Sequence, residues 1–215
     1  MRVDRDFWLR LLKLFFGLVL FAIGIVMTLK ANIGYSPWDV FHAGLSEVTG
    51  ISFGLASIIV GATVLVIVIL MKETFGLGAV VNIFVIGLII DLIMHFIPVA
   101  PNFVWGLAML VAGLIVVAIG SYFYMSSGFG AGPRDSLMVA LVRKTKKPVG
   151  VCRTVIDLTA LIFGWLLGGM VGIGTIISAF GFGFCVQITF KILKFDVTAV
   201  KHESLAETVK RFIRG

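Results

Sequence analysis

Four acidic side chains, Asp39, Asp91, Asp135 and Asp157, lie inside or beside long apolar stretches. Ionisable groups in such settings are costly and mark ion paths, proton relays or substrate sites. Two of them belong to near-copies, "IGYSPWDVFHAGL" at 33–45 and "FGAGPRDSLMVAL" at 129–141. In each copy a Pro opens a helix, with Ser36 or Gly132 as N-cap and Asp39 or Asp135 at the third helical position. One reading is a plain helix start, in which the Asp satisfies free backbone amides and complements the dipole. The other is a short half-helix dipping into the membrane, offering its N-terminus to an anion or its carboxylate to a cation or proton. Both readings stand together.

Asp91 falls two-thirds of the way along an apolar run, in "GLIIDLIMHF", and is the strongest single candidate. His95 is expected on the same helix face four residues on, and Asn82 close to that face. Arg153 and Asp157, four apart, form either an intrahelical ion pair that eases entry into the bilayer or a cytoplasmic gate reaching Asp135. Arg134 serves such a gate or a phospholipid head group. The candidate binding or gating set is therefore Asp39, Asp91, Asp135, Asn82, Arg134, Arg153, Asp157 and Gln187, the last being the repeat partner of Asp91. No cysteine–histidine cluster, nucleotide loop or nucleophile with its base is present, so no catalytic residue, metal or cofactor is expected, and the chain does not read as an enzyme. Cys152 and Cys185 read as reduced packing residues.

The elements that must carry these residues are membrane helices. The 215 residues are 60% hydrophobic and 13% charged, with mean hydropathy +1.12, which excludes an ordinary soluble domain. A span needs about 20 apolar residues, and six stretches qualify: 13–31, 54–71, 77–97, 103–125, 151–167 and 173–193. The net charge of +7 has a topological origin. With the N-terminus inside, 17 of the 18 basic residues fall on the cytoplasmic side and only Lys30 lies outside, so both termini are expected in the cytoplasm. The tail 195–215, with a Ser204/Glu207 capping-box pattern, reads as a short amphipathic helix at that face.

A shift of 96 positions pairs seven glycines with glycines: Gly17 with Gly113, Gly24 with Gly120, Gly34 with Gly130, Gly54 with Gly150, Gly76 with Gly172, Gly78 with Gly174 and Gly87 with Gly183. The same shift pairs Pro37 and Asp39 with Pro133 and Asp135, and Asn82 with Ser178. Duplication explains this better than chance. The chain reads as one all-helical membrane domain, with repeat 1 over about 12–107 and repeat 2 over about 108–193. Three spans per repeat invert the second copy, giving a 3+3 inverted repeat with two short amphipathic or re-entrant helices. Gly164, Gly168 and Gly172 read as close-packing positions.

Gly34-x-x-Pro37-Trp38-Asp39, "GLGAVVNIFVIGLIID" at 76–91, "GPRDSLM" at 132–138 and "GGMVGIGT" at 168–175 resemble the YczE/YyaS/YitT-like group of bacterial integral membrane proteins. The resemblance covers nearly the whole chain and implies a bacterial cytoplasmic membrane and little chemistry. The favoured function is a small-solute transporter of the alternating-access type, proton- or cation-coupled, with Asp39, Asp91 and Asp135 on its path. The competing class is an accessory or regulatory membrane protein that docks a cytoplasmic partner or anionic lipid through the basic loop 143–147 and the tail. The expected partners are the lipid bilayer, a small solute and a second copy in a homodimer, with no nucleic acid.

Overall fold

Helix starts recur at the repeat interval. The computed structural model describes residues 5–195, 203 and 205. They form α1 (Arg5–Lys30), α2 (Pro37–Thr49), α3 (Phe53–Leu70), α4 (Leu77–Ile93), α5 (Phe103–Ser126), α6 (Pro133–Thr145), α7 (Val149–Leu166) and α8 (Ile173–Ile192). α2 and α6 start and end 96 residues apart, as do α3 and α7. Local chemistry sets several boundaries: the Ser52 hydroxyl accepts from Leu55 N–H and Asn102 Oδ1 from Trp105 N–H. Pro37 and Pro133 open α2 and α6, and Gly50 stops α2 in the left-handed region at φ 72°.

Among the described residues five helices, α1, α3, α5, α7 and α8, are long and apolar enough to cross a membrane. α4 has 17 residues, about 26 Å of helix against a hydrocarbon core of about 30 Å. The expected span 77–97 is thus too long: α4 ends at Ile93, and a turn follows over 94–96. The tail helix expected from Ser204 and Glu207 lies outside the described residues.

α1 and α5 cross through glycine. A Cβ on Gly17 would meet Tyr124 N at 2.5 Å and Gly120 O at 2.9 Å, and one on Gly24 would meet Gly113 O and Val117 N at 2.7 Å. Contacts ascend one helix as they descend the other, so the pair is antiparallel. Around it, α1 packs on α4, α5 on α8, α2 on α7 and α6 on α3. Each short helix therefore rests on the other repeat. Two matching backbone hydrogen bonds fasten this exchange: Gly78 N–H to Phe129 O and Gly174 N–H to Ile33 O, both 2.7 Å. Gly34 at φ +116° lies against Gly172, and Gly130 at φ +102° against Gly76, positions where a side chain would be strained and would strike backbone. Gly164 also presses against α2, at Phe41, whereas Gly168 has open space around it.

One pair of helices breaks the pattern. α3 packs along α4, while their counterparts α7 and α8 have no comparable packing. Gly87 O stands where a Cβ on Gly54 would go, yet Gly150 and Gly183, the copies of Gly54 and Gly87, have nothing within 4 Å.

Two alanine substitutions separate these environments. Gly24→Ala is expected to lower the thermal midpoint of detergent-purified protein, at an overpacking cost of about 1–3 kcal/mol. Gly150→Ala is expected to stay within about 0.5 kcal/mol of the parent. Equal behaviour of the two variants would contradict the close α1–α5 crossing.

Candidate functional site

The N-termini of α2 and α6 open into one cavity of about 530 Å³. Their Pro residues put residues 38–39 and 134–135 in the first turn of each helix, so the side chains that follow Pro37 and Pro133 line the same space. Trp38 and Arg134, repeat partners 96 positions apart, meet: the guanidinium carbon stands over the indole ring, 4.5 Å from its centroid. Cation–π stacking of this kind suits arginine, whose planar charge is weakly hydrated.

From this contact a polar chain runs both ways. Trp38 Nε1–H donates to Asp157 Oδ1 at 2.9 Å, and Arg153 Nε stands 3.8 Å from Asp157 Oδ2. On the other side Arg134 Nη2 approaches His42 Nε2 at 3.4 Å, and His42 Nδ1 faces Asp39 Oδ1 at 3.6 Å. The Ser36 hydroxyl donates to Asp39 Oδ2. Because a guanidinium can only donate, His42 Nε2 must accept and Nδ1 carries the proton toward Asp39. Burial pushes the His42 pKa down, with Asp39 working against it, so the ring is held toward its neutral form. Burial alone would raise the Asp39 carboxyl, but the His42 ring, the Arg134 charge and the Ser36 hydroxyl outweigh it and keep Asp39 below the usual carboxylate range.

Seven of the eight sequence candidates line this cavity: Asp39, Asn82, Arg134, Asp135, Arg153, Asp157 and Gln187. Asp91 does not. It sits in the last turn of α4 instead of mid-span, since that helix stops at Ile93. There Asp91 Oδ1 accepts from Gly54 N–H at 2.7 Å and Oδ2 from the Ser52 hydroxyl, so it caps the N-terminus of α3 from a neighbouring helix. His95 follows beyond the helix end and is exposed, so the expected shared face of Asp91 and His95 is not formed.

Arg153 and Asp157 lie within ion-pair distance on α7, as the intrahelical reading expects, and Asp157 also reaches Trp38 of α2. One further expectation changes. Ser36 makes no cap bond to α2 and bonds Asp39 instead, so Asp39 belongs to the polar chain more than to the helix start. Both cysteines are free thiols. Trp38, His42, Ser121 and Tyr124 were not singled out from sequence. His42 could have been, because it follows Asp39 by three positions on a helix; Ser121 and Tyr124 are single polar groups in an apolar run. Among the described residues no group of three or more His, Cys, Asp or Glu could hold a metal ion.

Comparison with known proteins places this architecture in a family. The model of the family of unknown function DUF6198 matches residues 8–191. The uncharacterised membrane protein YczE of Bacillus subtilis (strain 168) is 35% identical over 167 residues, covering 77% of this chain and 78% of its own. An uncharacterised protein of Haemophilus influenzae is 28% identical, covering 84% of this chain and 83% of its own. The uncharacterised protein YyaS of Bacillus subtilis is 24% identical, over 83% and 90%. No solved structure matches the chain.

The Trp38–Asp157 bond can be weighed by a double-variant cycle. Trp38→Phe keeps most of the ring and removes the donor, so with Asp157→Asn it should show a coupling of about 1 kcal/mol in thermal or denaturant unfolding. Strict additivity of the two substitutions would mean that the bond contributes nothing.

Proposed function

The chain belongs to the DUF6198 family, a membrane protein among its relatives, and from its cavity we propose that it carries a small solute across the bilayer by alternating access. Support comes above all from one asymmetry between otherwise matching helix pairs. α3 and α4 are packed and latched where Asp91 meets Ser52 and Gly54, whereas α7 and α8 stand apart. In an inverted-repeat carrier the two copies hold different conformations, and exchanging them moves the opening from one face to the other.

The six crossings are the five long helices plus α4, whose 17 residues sit at the lower end of the spanning range. α2 and α6 enter from opposite faces and meet at the cavity. The distribution of basic residues favours cytoplasmic termini in a bacterial cell membrane. On that orientation the latched α3–α4 pair closes the outer face and the α7–α8 gap opens the inner one. Residues of α7 and α8, including Arg153, Asp157, Ser178 and Gln187, line the cavity along this gap. The arrangement therefore corresponds to an inward-open carrier. Gln187 takes the place of Asp91 in the second copy, so the two gates close with different strength: a charged cap on α3 outside, a neutral one on α7 inside.

Cysteine cross-linking tests the alternation. In a Cys152→Ser, Cys185→Ser background, Gly150→Cys with Gln187→Cys places thiols at the positions that copy Gly54 and Asp91. The reading expects oxidation in membranes to link them in most molecules, detected as a linked peptide by mass spectrometry. Failure to link, with both thiols still open to alkylation, would show that α7 never closes on α8 and would remove the carrier reading.

A further inference from the structure

We infer that the cavity takes a small organic carboxylate, its carboxylate held by Arg134 and its apolar body by the walls that α1, α4, α5 and α8 supply. The inference rests on the carrier reading for the cavity's purpose and adds the class of solute.

The acids are engaged and the arginine has donors to spare. Asp39 has Ser36 and His42, Asp157 has Trp38 and Arg153, and Asp135 is not without a partner either. A cation entering here would compete with contacts already made. Arg134 carries five N–H donors. Its face is covered by Trp38, and among the described residues its polar contact is His42 Nε2 at 3.4 Å, with no carboxylate inside ion-pair distance. It lines the cavity, so a two-oxygen anion can meet its fork bidentately.

Other donors converge on the same space. The N-termini of α2 and α6, each 13 residues long, open there and favour negative charge. Tyr124 and Ser178, 4% and 1% exposed, line the cavity, and their hydroxyls have no hydrogen-bond partner among the described residues. Buried hydroxyls without partners are costly, and a ligand oxygen would relieve that cost. Tyr124 stands beside the start of α6, its hydroxyl 3.1 Å from where a Cβ on Gly132 would lie.

Much of the remaining wall is apolar: Phe21, Ile25, Ile83, Val117 and Phe182 line it, beside Thr28, Ser57, Asn82, Ser121 and Gln187. An inorganic anion would leave that apolar surface wet. A volume of about 530 Å³ lies inside the usual range of small-ligand sites, about 300–1,000 Å³.

The test is ligand-induced thermal stabilisation of the full chain in detergent. The probes are butanoate, pentanoate and benzoate, the amides of the same acids, n-butylamine and inorganic phosphate. Saturable stabilisation by the carboxylates alone is expected. Arg134→Lys should weaken it about tenfold, the equivalent of about 1.4 kcal/mol for a lost bidentate contact, and Arg134→Gln should abolish it. Lys144→Gln, at the far end of α6, should bind as the parent does. Stabilisation by n-butylamine instead, by phosphate as well as by carboxylates, by no carboxylate, or to the same degree in both Arg134 variants would overturn the inference. Should Arg134→Gln fail to fold, the Lys variant and the acid–amide comparison on the parent still decide. Closure of α7 on α8 without carboxylate binding would remove this inference alone, and binding without closure would remove the carrier reading alone.

Discussion

Two backbone hydrogen bonds hold the rest of the architecture in place. Gly78 N–H to Phe129 O and Gly174 N–H to Ile33 O tie the start of the last helix in each repeat to the loop that precedes the short helix of the other. In an apolar medium an unpaired amide costs several kcal/mol, so these bonds decide where the non-helical loops can sit. The loops in turn aim α2 and α6 at each other. Gly34 and Gly130 are needed because each loop turns at positive φ with the backbone of a segment distant in sequence, that of Gly172 or Gly76, directly against it.

Once the two N-termini meet, the polar residues they carry must satisfy one another. Trp38 mediates this by using both of its surfaces: its face accepts the Arg134 charge and its edge donates to Asp157. Charges from α6 and α7 are thus joined through one indole of α2. The chain continues from Arg134 through His42 to Asp39 and Ser36, and burial of the histidine keeps it a neutral link between a cation and an anion. In a low-dielectric interior a polar group without a hydrogen bond is costly. His42 Nδ1, 3.6 Å from Asp39, and the Tyr124 and Ser178 hydroxyls on the same cavity have no hydrogen-bond partner among the described residues, and they stand out for that reason.

The departures from repeat symmetry are as informative as the symmetry. Asp91 caps α3 through Ser52 and Gly54, while its counterpart Gln187 lies on the cavity and Gly150 has open space around it. A carboxylate binds a helix N-terminus more strongly than an amide does. The difference in one side chain matches the difference in packing between α3–α4 and α7–α8.

Much of this was legible in the chain itself. Apolar run lengths gave the helices their class, proline and glycine their starts and stops, and the recurrence of seven glycines at one interval anticipated that α2 and α6, and α3 and α7, would share boundaries. The same reading collected seven residues that do line one cavity, because polar groups in apolar runs are costly wherever they lie. What sequence could not decide was which of them face each other. Asp91 looked like the central residue because its apolar context was continuous, yet the helix ends two residues after it and the carboxylate turns to cap α3. Trp38 and His42 lie on a short helix whose pattern marks it only as amphipathic or re-entrant, yet they carry the polar chain. Periodicity assigns a residue to a face of its own helix, but partners are set by the crossing of helices distant in sequence, and only the packed chain contains that information.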